Sequence, residues 1–356
     1  MIKHRLKGLL RDAWSLGLYH TGLWRLADRI APRRLLVLAG HCVEDPEVNA
    51  DLPADMKISR RRLVKLLRAL TSRFQAVTVE EGWAALQSGA GSSMVALSMD
   101  DGYRDNLTVL PGVLKETGAR ATVYLESRAL LERQPNWSHA FFWLLSAGGL
   151  RPVEVARVYM ARADDGEACV RLEQLLLAES ASGYEVKRVL KYHAVPAERD
   201  RVLAELLAER GGDASALCDR IHLTLAEAED AARQGIELGG HTRTHEVLST
   251  LDAGGQASEI GGGRRELAEA LSAGAPTTFA YPFGRRWDFD ETSVAEVQRA
   301  GYQVAVTTHA GVVTATSPPY RLPRLMIEES TPIHLAVVQA AGGFLLLERL
   351  GLNLLE

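Results

Sequence analysis

The chain has 356 residues, 47% of them hydrophobic and 24% charged, and a formal net charge of -4. That supplies enough apolar sequence for a sizeable core, and the mild acidity speaks against a nucleic-acid partner, which demands a strongly basic face. Cys42, Cys169 and Cys218 are odd in number and lack CxxC spacing, so they offer neither a disulfide framework nor a thiolate metal site and read as small buried hydrophobes.

Residues 1–34 read as a basic amphipathic helical segment, with Lys3, Arg5, Lys7, Arg11, Arg25 and Arg29 set among Trp14, Tyr19 and Trp24. No run there is apolar enough for a signal peptide or long enough to span a bilayer. The expectation is a cytoplasmic protein whose first helix packs on its own domain or lies against the inner face of a membrane.

Strand and helix then alternate through 35–126. An apolar strand at 35–39 is followed by a helix at 59–70 with Leu63, Leu66, Leu67 and Leu70 at helical spacing, then a strand at 74–79, a helix at 80–87 and a strand at 94–99. A helix at 106–118, despite Pro111, and a strand at 121–125 complete this part. From 127 to 224 the pattern is helical without a convincing strand, and it reads as an insertion or lid whose Trp137, Phe141, Phe142 and Trp143 form its own core or stack on sugar rings. Alternation resumes over 225–330: helices at 225–234, 259–273 and 292–300, strands at 235–240, 277–281 and 302–306, with Gly261-Gly262-Gly263 as a turn. A C-terminal helix fills 331–356. Repeated strand–helix units imply parallel strands with helices outside, in a barrel or a doubly wound sheet, and function then sits at the strands' C-terminal ends.

Four polar clusters fall at such ends. Asp100 and Asp101 follow a buried strand, with Gly102 permitting a sharp turn; alone, the pair could be a solvated turn or a helix cap. His241 and His245 lie four residues apart, on one face of a helical turn directly after the strand at 235–240, which is metal-ligand spacing. Tyr281-Pro282-Phe283-Gly284 is a turn that can present backbone N–H groups to a bound oxygen, and His309 follows the strand at 302–306. One carboxylate and two imidazoles leave a divalent metal open positions for water and substrate, and the second carboxylate is then available as a base.

In order and spacing these residues resemble the motifs of the polysaccharide deacetylases, the NodB-homology domain of carbohydrate esterase family four, and in particular its exopolysaccharide-type members. The family's Thr-Phe-Asp-Asp-Gly motif is matched by Ser98-Met99-Asp100-Asp101-Gly102, which implies Asp100 as general base and Asp101 as metal ligand. The His-Ser/Thr-x-x-His motif is matched by His241 to His245, implying an Asp-His-His site for zinc, with cobalt, nickel or iron as alternatives. The Arg-x-Pro-Tyr motif falls on Ala280-Tyr281-Pro282-Phe283, where alanine replaces the arginine that supports the base; Arg286 and Arg324 are candidates to replace it. The resemblance further implies the Phe283 N–H as an oxyanion donor and His309 as the catalytic acid, with Tyr281, Pro282, His41 and Arg324 on the substrate side. It covers 35–106 and 225–326 and implies a distorted (β/α) barrel interrupted by the helical insertion. The implied activity is metal-dependent removal of N-acetyl groups from a glycan or lipid-linked saccharide. An O-acetyl esterase, an inactive glycan-binding homologue and an amidohydrolase with a closed pocket are the competing readings.

Overall fold

In the computed structural model, residues 2–45, 47–89, 92–348, 351–352 and 354–355 are described. Their strands are β1 (Leu35–Gly40), β2 (Gln75–Ala76), β3 (Met94–Met99), β4 (Ala121–Leu125), β5 (Glu237–Gly240), β6 (Thr278–Ala280), β7 (Val304–Val306) and β8 (Leu325–Met326). All pair in parallel, in the order β7-β6-β5-β4-β3-β1-β8, while β2 lies along the first residues of β3. A parallel bridge between Val306 and Leu322 brings the β7 end of the sheet to the segment that leads into β8, so the sheet curls into a distorted barrel. Thr307 donates to the Leu322 carbonyl and Leu322 to that of Ala305, both at 2.9 Å, and these two bonds form the seam.

Six consecutive apolar or small residues in β1 and again in β3 are buried, as parallel strands covered on both faces require. The period of two nevertheless sorts them. Leu35, Val37, Met94 and Ala96 pack inside the barrel with Tyr124, Val304 and Val306, whereas Leu36, Leu38, Val95 and Leu97 face the outer helices. The helix Arg60–Thr71 supplies Leu63, Leu66, Leu67 and Leu70 to that outer layer, and its first turn is capped by the Ser59 hydroxyl accepting from the Arg62 N–H. Continuing the inward register of β3 past Ala96 leads to Ser98 and then Asp100, at the barrel's C-terminal mouth.

Between β4 and the helix Leu225–Arg233 that precedes β5, the chain runs through seven helices among the described residues: Ser127–Leu131, Trp137–Leu145, Pro152–Arg162, Gly166–Leu177, Gly183–Tyr192, Pro196–Glu209 and Ala214–Ile221. They enclose a separate apolar cluster in which Trp137 and Phe141 are buried and Phe142 and Trp143 partly so, which makes these aromatics core of the insertion. At the N-terminus, Ile2–Thr21 and Trp24–Ile30 are helical. Trp24 is buried and Trp14 donates its Nε1–H to the Gly343 carbonyl at 3.2 Å, so these two aromatics face the domain.

Several local expectations need correction. The helix at 106–118 is two helices, Asp105–Thr108 and Leu110–Thr117, because Pro111 can only open a helix and the chain breaks at Val109. The strand at 74–79 shrinks to two residues, since Thr78 caps the next helix. The triple glycine is no turn: Ala253–Ala257, the π-helical turn Ser258–Gly262 and Gly263–Ala270 follow one another without a break. The C-terminal segment holds two helices, Ile333–Ala340 and Gly343–Glu348, broken at Gly342, whose φ of 73° suits glycine; residues 349–350, 353 and 356 lie outside the described residues. Of the cysteines, Cys42 and Cys218 are buried, whereas Cys169 is only partly so.

Candidate active site

At the end of β3 the backbone turns sharply, with φ of 68° at Asp101 and 64° at Gly102. A side chain at 102 would also strike Leu125, since a Cβ there would stand 2.8 Å from its Cδ2. Of the seven described non-glycine residues with positive φ, four belong to the predicted clusters: Asp101, Thr242, His245 and Phe283. Each such conformation costs roughly 1–2 kcal/mol, and such strain gathers at functional sites.

The loop that carries the two histidines is not a helical turn. Thr242 and His245 are both left-handed, and this irregular path aims the two imidazoles at one point. Nε2 of His241 lies 3.1 Å and Nε2 of His245 3.3 Å from the same Asp101 Oδ1, so three candidate ligand atoms stand within 4.8 Å of one another. His241 donates from Nδ1 to the Ala280 carbonyl at 2.7 Å, which leaves its Nε2 lone pair directed at Asp101. Asp101 Oδ1 is buried and has no hydrogen-bond partner. Two imidazole nitrogens converging on one buried carboxylate oxygen is the donor set a divalent cation takes, so the residues fit a metal. Burial pushes the Asp101 carboxyl up, but the two histidines outweigh it and hold it well below the usual range.

The loop is pinned from behind. The Glu259 carboxylate accepts from the N–H groups of Arg243 and Thr244, at 3.1 and 2.8 Å, and from the Thr244 hydroxyl at 2.7 Å. Glu259 sits in the π-helical turn, and Gly263 lets that helix approach closely: a Cβ there would be 3.0 Å from the Thr242 carbonyl carbon. Directly after His245, Glu246 is buried in an ion pair with Arg199, which belongs to the insertion.

Asp100 is gripped by Arg324, with Nη1 donating to Oδ1 at 2.7 Å and Nη2 to Oδ2 at 2.8 Å. Arg324 is fully buried and also donates to Ser98 Oγ and the Thr307 carbonyl, so it lies beneath the carboxylate and away from any substrate surface. Burial would raise the Asp100 carboxyl, but the guanidinium overrides it and holds it below its ordinary value. Arg286, the other candidate, is exposed on the surface beside Trp287.

The remaining predicted residues divide. Phe283 is half-buried, with its ring 4.7 Å from that of His245. Tyr281 is fully buried, stacked on Phe289 at 4.0 Å and donating to the Tyr320 carbonyl, and Pro282 is buried beside it; both are core, because the turn faces only Phe283 outward. His41 follows β1, is partly buried, and lies within electrostatic reach of both aspartates. His309 is partly buried, its main chain bonded to Thr307 and Arg324, its ring tilted against Phe289.

Other polar groups at this mouth had no signature at the sequence level. Glu126, directly after β4, is buried, accepts from Asn136 Nδ2 at 2.8 Å, and is pushed up to about 8 by burial and the Asp101 charge. Its position at a strand's C-terminal end was the available clue. Tyr103 donates to His139 Nε2 at 2.6 Å, His139 Nδ1 meets His222 Nε2 at 3.3 Å, and His222 Nδ1 meets the Asp101 carbonyl at 3.0 Å. Burial pushes His139 well down and His222 to about 4, so this chain of neutral groups holds the Asp101 main chain in its turn.

A parallel barrel with an Asp-His-His triplet at its strand ends is a (β/α) barrel with a candidate metal site. The polysaccharide deacetylase family model matches residues 202–305. YxkH of Bacillus subtilis (strain 168), provisionally named a polysaccharide deacetylase, is 29% identical over 106 residues, which is 30% of this chain and 37% of that relative. The chain thus matches little more than a third of the length of that curated relative. Among solved structures, a Streptococcus pyogenes deacetylase, PplD, in complex with acetate superposes with a TM-score of 0.53 at 17% identity, covering 87% of this chain and 98% of that one. IcaB from Ammonifex degensii superposes with a TM-score of 0.51 at 16% identity, covering 87% and 97%. Over residues 202–305 the chain is thus similar to the polysaccharide deacetylase family, and its fold is that of these solved deacetylases.

Proposed function

We propose that the chain is a metal-dependent deacetylase that hydrolyses N-acetyl groups of a polysaccharide or related glycan. The observation that carries this reading is the orphaned Asp101 Oδ1 facing two imidazoles, beside an Asp100 held ionised by Arg324. Asp101, His241 and His245 would hold a divalent cation, whose chemistry here is Lewis acidity toward the acetyl carbonyl and a lowered proton affinity of water. Zinc suits this donor set, and cobalt, nickel and iron share it. Asp100 takes the proton of the attacking water, the Phe283 N–H donates to the carbonyl oxygen as it gains charge, and His309 passes a proton to the leaving amine nitrogen. Acetate and a free amino sugar are the products.

Acetate release from N-acetylglucosamine oligomers tests this, with chelator, with zinc or cobalt restored, and with Asp101→Asn. Metal-dependent release lost in the variant is the expected result. Release from O-acetylated glycans alone would redirect the reaction to an ester. Glycan binding without release from any acetylated substrate would sink the enzyme reading.

We place this activity at the inner face of a membrane, on a lipid-linked or growing chain. No described helix is long and apolar enough to cross a bilayer. Leu9, Leu16, Leu26 and Ile30 of the N-terminal helices point outward, near Arg29 and Arg33, which suits peripheral contact with anionic lipid. Absence of cosedimentation with phosphatidylglycerol vesicles would remove the membrane part of the reading.

A further inference from the structure

The insertion brings two lysines to the rim of this site. Lys187 and Lys191 are four residues apart on the helix Gly183–Tyr192, and so project from one face about 6 Å apart. Lys191 Nζ lies 3.4 Å from the centre of the Phe283 ring, the ring that packs on His245, and is neutralised by Asp288 at 3.0 Å. Lys187 is different. Its Nζ lies 4.0 Å from the Phe142 ring centre and 5.9 Å from that of Trp137, and among the described residues no carboxylate is within ion-pair distance of it.

A cation part-way into an apolar wall without a counter-ion is costly. Burial and the Lys191 charge push Lys187 down to about 8, against a weaker upward pull from Asp55 and Asp101. Its charge is in turn felt by His245 and His139, which places it on the metal side of the insertion. An anion bound beside it would remove the cost. We propose that Lys187, backed by Lys191, forms an anion subsite next to the deacetylation centre, so that the preferred glycan carries a carboxylate or a phosphate close to the acetylated sugar. This deepens the deacetylase reading by naming a substrate class, but its binding component stands without turnover.

The test compares three probes on the full chain by calorimetric titration: the neutral N-acetylglucosamine hexamer, a hexasaccharide alternating N-acetylglucosamine with glucuronate, and N-acetylglucosamine joined through diphosphate to a short prenyl chain. One of the two anionic probes should bind about tenfold or more tighter than the neutral one, with a preference that falls as salt rises. Which of them does so distinguishes a uronate from a phosphate source. Lys187→Gln should bring the anionic-to-neutral ratio toward one, and Lys187→Arg should retain most of it. Equal binding of all three probes, or a ratio untouched by Lys187→Gln, overturns the subsite. Acetate release is read in parallel: its absence with the anion preference intact defeats the deacetylase reading and leaves the subsite standing, whereas release without anion preference does the reverse.

Discussion

Arg324 and Asp100 are 224 positions apart in the chain and meet as a buried two-pronged ion pair. The pair holds Asp100 ionised despite its burial, as the proposed role of general base requires. Arg324→Met removes the counter-charge while leaving the carboxylate buried, so the Asp100 pKa should rise. The acid limb of kcat/KM against pH should then move toward higher pH, and Arg324→Lys, which keeps a charge without the fork, should fall between. A limb that stays in place in both variants would remove Asp100 as the group that sets it.

Glu259 touches neither imidazole ring, yet it fixes the backbone between them through three hydrogen bonds. Glu259→Ala should weaken zinc binding by about 10–100-fold, the range typical of lost support behind metal ligands. Competition with a chromogenic chelator measures it, and unaltered affinity would show that His241 and His245 converge without that support.

Arg199 and Glu246 tie the insertion to the residue after His245. Arg199→Met strands a buried carboxylate and should destabilise the fold by roughly 3–5 kcal/mol. Adding Glu246→Leu should restore part of that loss, because the unpaired charge goes with it. Urea unfolding of the two single variants and the double gives the coupling; strict additivity would mean that the pair does not act as a unit.

Asp105 has a different pH signature. Burial and the neighbouring Glu44 push its carboxyl up to about 7, while it accepts from the Val43 N–H at 2.7 Å. Its folded-state pKa lies above the unfolded value near 4, so the folded chain holds the proton more tightly. The contribution of Asp105 to stability is therefore fully present below about pH 4 and is lost as pH rises through about 7. Asp105→Asn cannot ionise, so the melting temperature of the variant relative to the wild type should rise between pH 5 and pH 8. A constant difference across that range would refute the assignment.

The barrel and its site were unequally legible in the sequence. Strand–helix alternation carried the parallel sheet, because runs such as 94–99 are apolar but for Ser98 and end in charged or turn-forming residues. The triplet of Asp101, His241 and His245 was visible as residue types at strand ends, but the helical turn assumed for the histidines was wrong, since spacing cannot distinguish a helix from a loop with two left-handed residues. Ala280 signalled a missing arginine without locating its replacement; only the curl of the sheet brings Arg324 under β3. Glu126, His139, His222 and Lys187 carried no motif, because their partners come from the insertion and from distant strand ends. Tyr281 was expected on the substrate side and is instead buried, since an aromatic beside a turn can face either way.

The segment around Leu322 that closes the barrel also delivers Arg324 two residues later. Closure of the sheet and pairing of Asp100 with its counter-charge therefore depend on the same stretch of chain. A chain whose last strand has not yet docked leaves Asp100 without its counter-ion and inclined to keep its proton. Under the proposed mechanism an unfinished barrel would then be chemically quiet, because the latch also supplies the charge that the proposed base needs.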